Sequence, residues 1–505
     1  MLDFLVKRLR RPWIFLLSLY SLTHFFLLLN THLYWDDWPN MGMSAKATIQ
    51  NGIQYGLPWV GYFYTWLHTF SHPAWVAHGL VFICFGLCTV LIYQVLNTFK
   101  SLSQSEAFLI TAFASVLPYN NARVLLSAFQ YTLPYLSFWA GWYLLTCHLN
   151  AKNPALKLTF RLLALGLFFV SFAAHSILVF YALVLVYIFW HSSSKIKLDF
   201  LALPLVFWVL KMVYFAPSGP TASYNKLTAN GFLGALPKLV SSLGHSLFDM
   251  GNLFFGLSWL AVLALGWLLW KTLSAYLPKL SDIKTGHSPF QKTNFLWATL
   301  ALVTAIFPYT VVGNVVSAHW GFKTRHELLL PLGVAFLIVF LLKKFCPTPG
   351  FLIKISAVLL ACFVLIQWQS YLQFERDGIK QKAIIENLKM HPELLQAKTL
   401  VFSDQVSFLN VNRRQLRSYD YQGFLTQALG SYLGQIVSEQ DADGYDFYAS
   451  QKAGADSLKI TIMPCQLAFY LEPDLILNLK LKEWFSPKAY ADQIKKLVRL
   501  SVGPV

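Results

Sequence analysis

Acid is scarce in this chain. Among 505 residues there are 23 Asp plus Glu against 40 Lys plus Arg, and only 12% of residues carry a charge. Cysteine is scarcer still. Its six copies stand singly, with Cys84, Cys88, Cys147 and Cys362 in apolar stretches, Cys346 in a basic connection and Cys465 alone near the end, which excludes a disulfide framework or a zinc spacing. No segment repeats at the roughly 20 to 50-residue period of solenoid proteins, and no tract is of low complexity. What fills the chain instead is apolar: 56% hydrophobic residues, 42 Phe, 24 Tyr, 17 Trp and a mean hydropathy of +0.50. This excess, spread over many separate runs, points to a polytopic α-helical membrane protein.

The first run, 13–30, follows "VKRLRRP" and has no small-residue cleavage site behind it, so it is expected to remain as a helix. Further spans are expected near 76–98, 105–118, 129–148, 161–173, 177–190, 199–215, 252–270, 295–312, 328–342 and 350–368, about eleven in all. The fifth and sixth are short, and read either as one re-entrant unit or as two tilted helices. With the N-terminus cytoplasmic, 16 Lys plus Arg fall on inner segments and 6 on outer loops, the bias that insertion imposes. The net charge of +17 therefore belongs to membrane topology, and no nucleic-acid partner is expected. From about 369 the composition changes to 16 basic and 15 acidic residues, a soluble balance. Helix-like "KQKAIIENLKMHPELL" alternates there with strand-like "KTLVFSD" and "LKITIMP", so 369–505 is expected to be a small α/β domain, extracytoplasmic after an odd number of spans.

Removing the tail's acids leaves eight in residues 1–368, and four of them, Asp3, Glu106, Asp199 and Asp282, lie at the inner face. Outside remain Asp36, Asp37, Asp249 and Glu327. Two of these are adjacent, in "YWDDWPN" just past the first span, between Trp35 and Trp38. Aromatics of this kind suit the headgroup level. A carboxylate there is partly desolvated, which raises its basicity towards a proton donor; the plainer reading is a solvated loop end with an aromatic belt.

The surrounding segment, 31–75, is long for a connection. Its "NMGMSAKATIQNGIQYG" suits a helix lying along the membrane surface, and "LPWVGYFYTWLH" is rich in interfacial aromatics. A second feature follows the ninth span, in "FPYTVVGNVVSAHWGFKTRHELLLPLG". Lys323, Arg325 and His326 crowd together there, behind His319 and Trp320. Arg suits bidentate phosphate capture, with Lys and His adding charge or hydrogen bonds; a snorkelling basic helix end is the alternative. Arg123, in the outer turn "PYNNAR", is another phosphate candidate. His175, in "AAHS", could meet a phosphate or serve as a hydrogen-bonded interfacial histidine. His68 and His72, at i and i+4, could pair on a metal or simply sit at the interface.

An acid pair after helix one, a surface-helix stretch from Asn40 to Gly56, and a soluble tail from about 369 together resemble the GT-C superfamily of integral membrane glycosyltransferases. That resemblance implies a sugar transferase using a polyprenyl-phosphate sugar donor and a cell-envelope glycan or lipid acceptor, working among membrane lipids on the non-cytoplasmic face of a bacterial inner membrane. It implies Asp36 or Asp37 as the catalytic base. Arg325, with Lys323 and His326, would hold the departing phosphate, and Arg123 and His175 are further candidates. Some members bind a divalent metal at first-loop acids, so Mg or Mn at Asp36 and Asp37 stays open. An O-antigen ligase or polymerase shares the outer Arg and His residues but does not predict an acid directly after helix one. A transporter or flippase of lipid-linked sugars would predict charged residues within spans and repeated halves.

Overall fold

A computed structural model describes residues 12–191, 194–218, 229–276, 290–314, 316, 322–430, 434–439 and 457–504. Along the chain run helices α1 (Pro12–Leu29), α2 (Asp37–Gly42), α3 (Ala45–Gln54), α4 (Pro58–Leu67), α5 (Pro73–Leu96), α6 (Gln104–Val116), α7 (Phe129–Asn150), α8 (Pro154–Ser171), α9 (His175–Phe180), α10 (Ala182–His191) and α11 (Ser194–Tyr214). They continue with α12 (Ala229–Leu233), α13 (Ala235–Leu253), α14 (Trp259–Tyr276), α15 (Phe290–Thr310), α16 (Leu330–Phe345) and α17 (Pro349–Leu388). The remainder holds α18 (Ser418–Leu429), α19 (Pro473–Phe485), α20 (Pro487–Ile494) and strands β1 (Thr399–Asp404), β2 (Gln435–Ser438), β3 (Ser457–Pro464) and β4 (Val498–Pro504). The helical membrane class with a small α/β domain is what the sequence led one to expect.

Among the described residues, four helices, α1, α5, α8 and α17, are long and apolar enough to cross a membrane. The expected fifth span is longer than its apolar run because Asn153 caps the helix, accepting from the amides of Ala155 (2.9 Å) and Leu156 (3.4 Å), with Pro154 in the first turn. It therefore starts before Lys157 and Arg161, and Arg161 pairs with Asp199 at the start of α11. The expected sixth span is broken at Tyr181 into α9 and α10. The eighth begins at Trp259 rather than 252, because α13 occupies the preceding residues and a 3-10 turn at Phe254–Gly256 separates the two.

The largest difference concerns the domain boundary. Helix α17 has 40 residues, about 60 Å at 1.5 Å each, and passes through residue 368 without interruption. Thr348 caps its start and Pro349 opens it. Beyond Trp368 the residues turn polar but contain no proline, so the helix continues. Its first half packs Leu360, Phe363 and Ile366 into the bundle core, and its second half packs Ile379, Ala383, Ile384 and Leu388 into the core of the α/β domain. The two parts share this rod.

The sheet has the order β2-β1-β3-β4, with β1 parallel to both neighbours and β4 antiparallel to β3. Leu400, Phe402, Ile460 and Ile462 face the core built on α17, while Val401 and Val437 pack together separately. One residue of the first external loop, Trp38, belongs to this core.

Candidate active site

The stretch "YWDDWPN" is a sharp turn. Trp35 takes φ of 49°, a left-handed conformation that side chains seldom adopt and that costs about 1–3 kcal/mol. The amides of Asp37 and Trp38 return to the carbonyls of Tyr34 and Trp35, each at 3.0 Å. This turn sends three consecutive side chains in different directions.

Asp37 is fully buried and points into the bundle. Its Oδ1 accepts from the Ser127 amide (2.9 Å), and its Oδ2 from the amides of Leu126 (3.1 Å) and Tyr34 (3.3 Å). Burial pushes its carboxyl up to about 7, against the pull of these three N–H groups. Trp38 points the other way. Its Nε1–H donates to Gln381 (2.9 Å), its ring meets Phe424 edge-on at 5.0 Å, and it lies against Gly423 so closely that a Cβ there would stand 2.7–2.9 Å from the indole. Trp35 is buried as well, against Phe374 and beneath the Arg414 guanidinium at 5.2 Å. The aromatic belt reading is thereby corrected: both tryptophans are seams between the first loop and the α/β domain, a packing that needs residues hundreds of positions away.

Asp36, between them, stays half-buried. Its carboxyl is raised above the usual range by desolvation, and the charges of Arg325, Arg414 and Arg417, in that order, oppose the rise. Among these charges Arg325 comes from the segment that follows α15. It sits in a 3-10 turn, Phe322–Glu327, anchored by Thr324, whose Oγ1 accepts the Ala122 amide at 2.8 Å. The connector 120–128 therefore holds both halves of the site, binding Asp37 through Leu126 and Ser127 and Thr324 through Ala122. Beside it His326 packs on Tyr309 at 4.4 Å. Tyr64 of α4, bonded to Asn40, lies within reach of both aspartates.

The sequence pairing did not include Arg414 and Arg417. They lie between β1 and α18, where Asn412 and Arg413 both have positive φ of 52° and 51°. Arg414 donates from one Nη to both oxygens of Asp420 at 2.7 Å, which fixes it over Trp35, and Arg417 is exposed. The signal was available, since "RRQLR" is the densest basic run of the tail, but the tail's even charge balance hid it.

Other candidates are placed elsewhere. Arg123 is buried in the bundle, donating to the carbonyls of Asn120 (3.0 Å) and Tyr119 (2.8 Å) and lying 4.8 Å over Phe85, so it braces the connector. It lines an internal cavity with Tyr20, Tyr135, Leu328 and Pro331. His175 is exposed at the start of α9, with its Nε2 against the Lys211 ammonium. The Lys323 side chain, His319 and Trp320 lie outside the described residues.

The acid pair does not suit a divalent metal. Both Asp37 oxygens already accept N–H groups, and Asp36 faces three guanidinium charges that a cation would oppose. Among the described residues the one group with metal-like spacing is His32, Glu375 and Glu483, whose ligand atoms lie within 4.8 Å of one another. Lysines already occupy it: Lys480 stands 2.8 Å from Glu375 and 2.7 Å from Glu483, and Lys382 pairs with Glu483. His32 also stands 2.8 Å from Glu375. The ring of His32 lies over Gly378, where a Cβ would stand 2.2 Å from it. This knot joins the first loop, α17 and α19.

No protein-family profile matches the chain, and no characterised protein matches it in sequence. Among solved structures, it is similar to the crystal structure of ArnT from Cupriavidus metallidurans bound to undecaprenyl phosphate. That likeness covers 92% of this chain and 94% of the other, at 13% identity and a TM-score of 0.33.

Proposed function

We propose that the protein is a GT-C-type glycosyltransferase, which moves a sugar from a polyprenyl-phosphate donor to a cell-envelope glycan or lipid on the non-cytoplasmic face of the bacterial inner membrane. The observation that carries this reading is a half-buried carboxylate, Asp36, in the turn that the 120–128 connector holds while the same connector anchors the Arg325 turn through Thr324. The Lys and Arg bias of the loops supports the side.

In this reading the polyprenyl tail stays in the bilayer and the phosphate lies at its rim. An acceptor hydroxyl attacks the anomeric carbon as Asp36 takes its proton; the new C–O bond forms while the bond from that carbon to the phosphate oxygen breaks, inverting the centre. The electron pair leaves with the phosphate, whose charge grows from about −1 towards −2. Arg325 would hold that charge, with Arg414 and Arg417 adding to the field felt at Asp36. Asp36 is the better base of the pair because it is half-open to a substrate, whereas Asp37 is closed off and committed to the connector. Asp37 is then a positioning residue.

The test compares envelope glycans by mass spectrometry in host cells lacking the protein and complemented with wild type or Asp36→Asn at equal protein level. Loss of one modification with the variant supports the reading, and an unchanged glycan profile overturns it.

A further inference from the structure

Helix α19 belongs to the α/β domain and buries Ile476, Leu479 and Lys480. On its other side it exposes Leu477 (39%), Leu481 (61%), Trp484 (49%) and Phe485 (82%). These stand at i, i+4, i+7 and i+8, one stripe of the helix. A helix apolar on two faces has one partner inside the domain and needs another outside it.

The position of the helix indicates what that partner is. Helix α1 has 18 residues, about 27 Å at 1.5 Å each, close to the roughly 30 Å hydrocarbon thickness of a bilayer. Leu29, at its end, therefore marks one rim. Ile476, Leu477 and Lys480 line a narrow slot together with Phe26 and Leu29 of α1 and Tyr371 and Leu372 of α17. Helix α19 thus meets α1 in its final turn, at the rim itself. At the same depth Phe25 and Phe26 meet Trp368 edge-on, at 5.9 and 5.8 Å, a group of aromatics of the kind that sits among headgroups. Lys480, on the inner side of α19, is neutralised by Glu375 and Glu483, so the outer stripe is free of buried charge.

We propose that α19 is an interfacial helix: Leu477, Leu481, Trp484 and Phe485 rest in the headgroup and upper acyl region of the bilayer, docking the α/β domain onto the membrane surface. The occupant is lipid because the stripe begins at Leu477, which lines the slot with the last turn of α1 and with Tyr371 and Leu372 of α17, at the level where the first span ends. This inference does not depend on the proposed chemistry.

The full chain is reconstituted into vesicles of phosphatidylethanolamine and phosphatidylglycerol that contain a phosphatidylcholine with a diazirine near the top of one acyl chain. After illumination, adducts are mapped by mass spectrometry. Adducts on the Leu477–Phe485 peptide are expected. A triple variant, Leu481→Gln, Trp484→Gln and Phe485→Gln, changes exposed side chains only and is expected to lose them while the spanning helices stay labelled. An unlabelled peptide in the wild-type protein beside labelled spans overturns the proposal, as do protein-protein crosslinks between two copies through α19 in place of lipid adducts.

Discussion

Replacing each of two adjacent aspartates by asparagine should damage the protein in opposite ways. Asp37 accepts three buried amides through both oxygens. An asparagine keeps one oxygen and turns an NH2 group towards at least one of those donors, leaving it unsatisfied at a cost of about 1–3 kcal/mol. At about 2–4 °C per kcal/mol for chains of roughly 200 residues, and less for a longer one, Asp37→Asn should lower Tm by several degrees. Among the described residues no backbone amide holds the Asp36 carboxylate, so Asp36→Asn should stay within about 1 kcal/mol of wild type. For turnover the order reverses: Asp36→Asn should lose about 10²–10⁴-fold, the usual contribution of a general base, while Asp37→Asn keeps measurable transfer. Thermal unfolding in detergent can be followed with a thiol-reactive fluorophore, because Cys88 and Cys362 are buried and free. An unchanged Tm for Asp37→Asn, or a larger drop for Asp36→Asn, would refute this division of labour.

Four further outcomes are expected. The Asp37 carboxyl is raised from 3.8 to about 7; the folded form binds the proton more tightly, so this contribution to stability is present below pH 3.8 and lost as pH rises through about 7. A Tm–pH profile should fall more steeply over that window for wild type than for Asp37→Asn. Arg325→Ala should cut turnover roughly 10²–10³-fold, the cost of removing one donor to a developing oxyanion, and Arg325→Lys should recover part of it in the same assay. Gly423→Ala should cost about 1–3 kcal/mol by driving a methyl into Trp38; in thermal melts its effect should shrink in a Trp38→Ala background. Lys480→Met should destabilise by roughly 3–5 kcal/mol by leaving Glu375 and Glu483 buried without their shared cation.

The sequence led directly to the helical class, and to strands at "KTLVFSD" and "LKITIMP", because hydropathy and alternation are local signals. Asp36, Asp37 and Arg325 were singled out by a different argument, as charges on the side expected to hold few. Arg123 satisfied that same argument, yet the structure turns it to backbone carbonyls, since an exposed turn and a buried connector look alike in sequence. Arg414, Arg417 and the burial of Trp38 depend on tertiary contacts between distant segments, which no local pattern encodes. The unbroken α17 was missed for a related reason: hydropathy marks where lipid ends, and helix formation does not stop there.

Trp38 donates its indole N–H to Gln381, 343 residues further along the chain. At about 5–20 residues per second of synthesis, roughly 20–70 s separate the appearance of the two. Throughout that interval the opening loop leans on the connector alone, through the Leu126 and Ser127 amides on Asp37, and the arginines of the last domain do not yet exist. A ribosome that stops early leaves inserted helices but no assembled chemistry, so the architecture carries its own check that translation ran to completion.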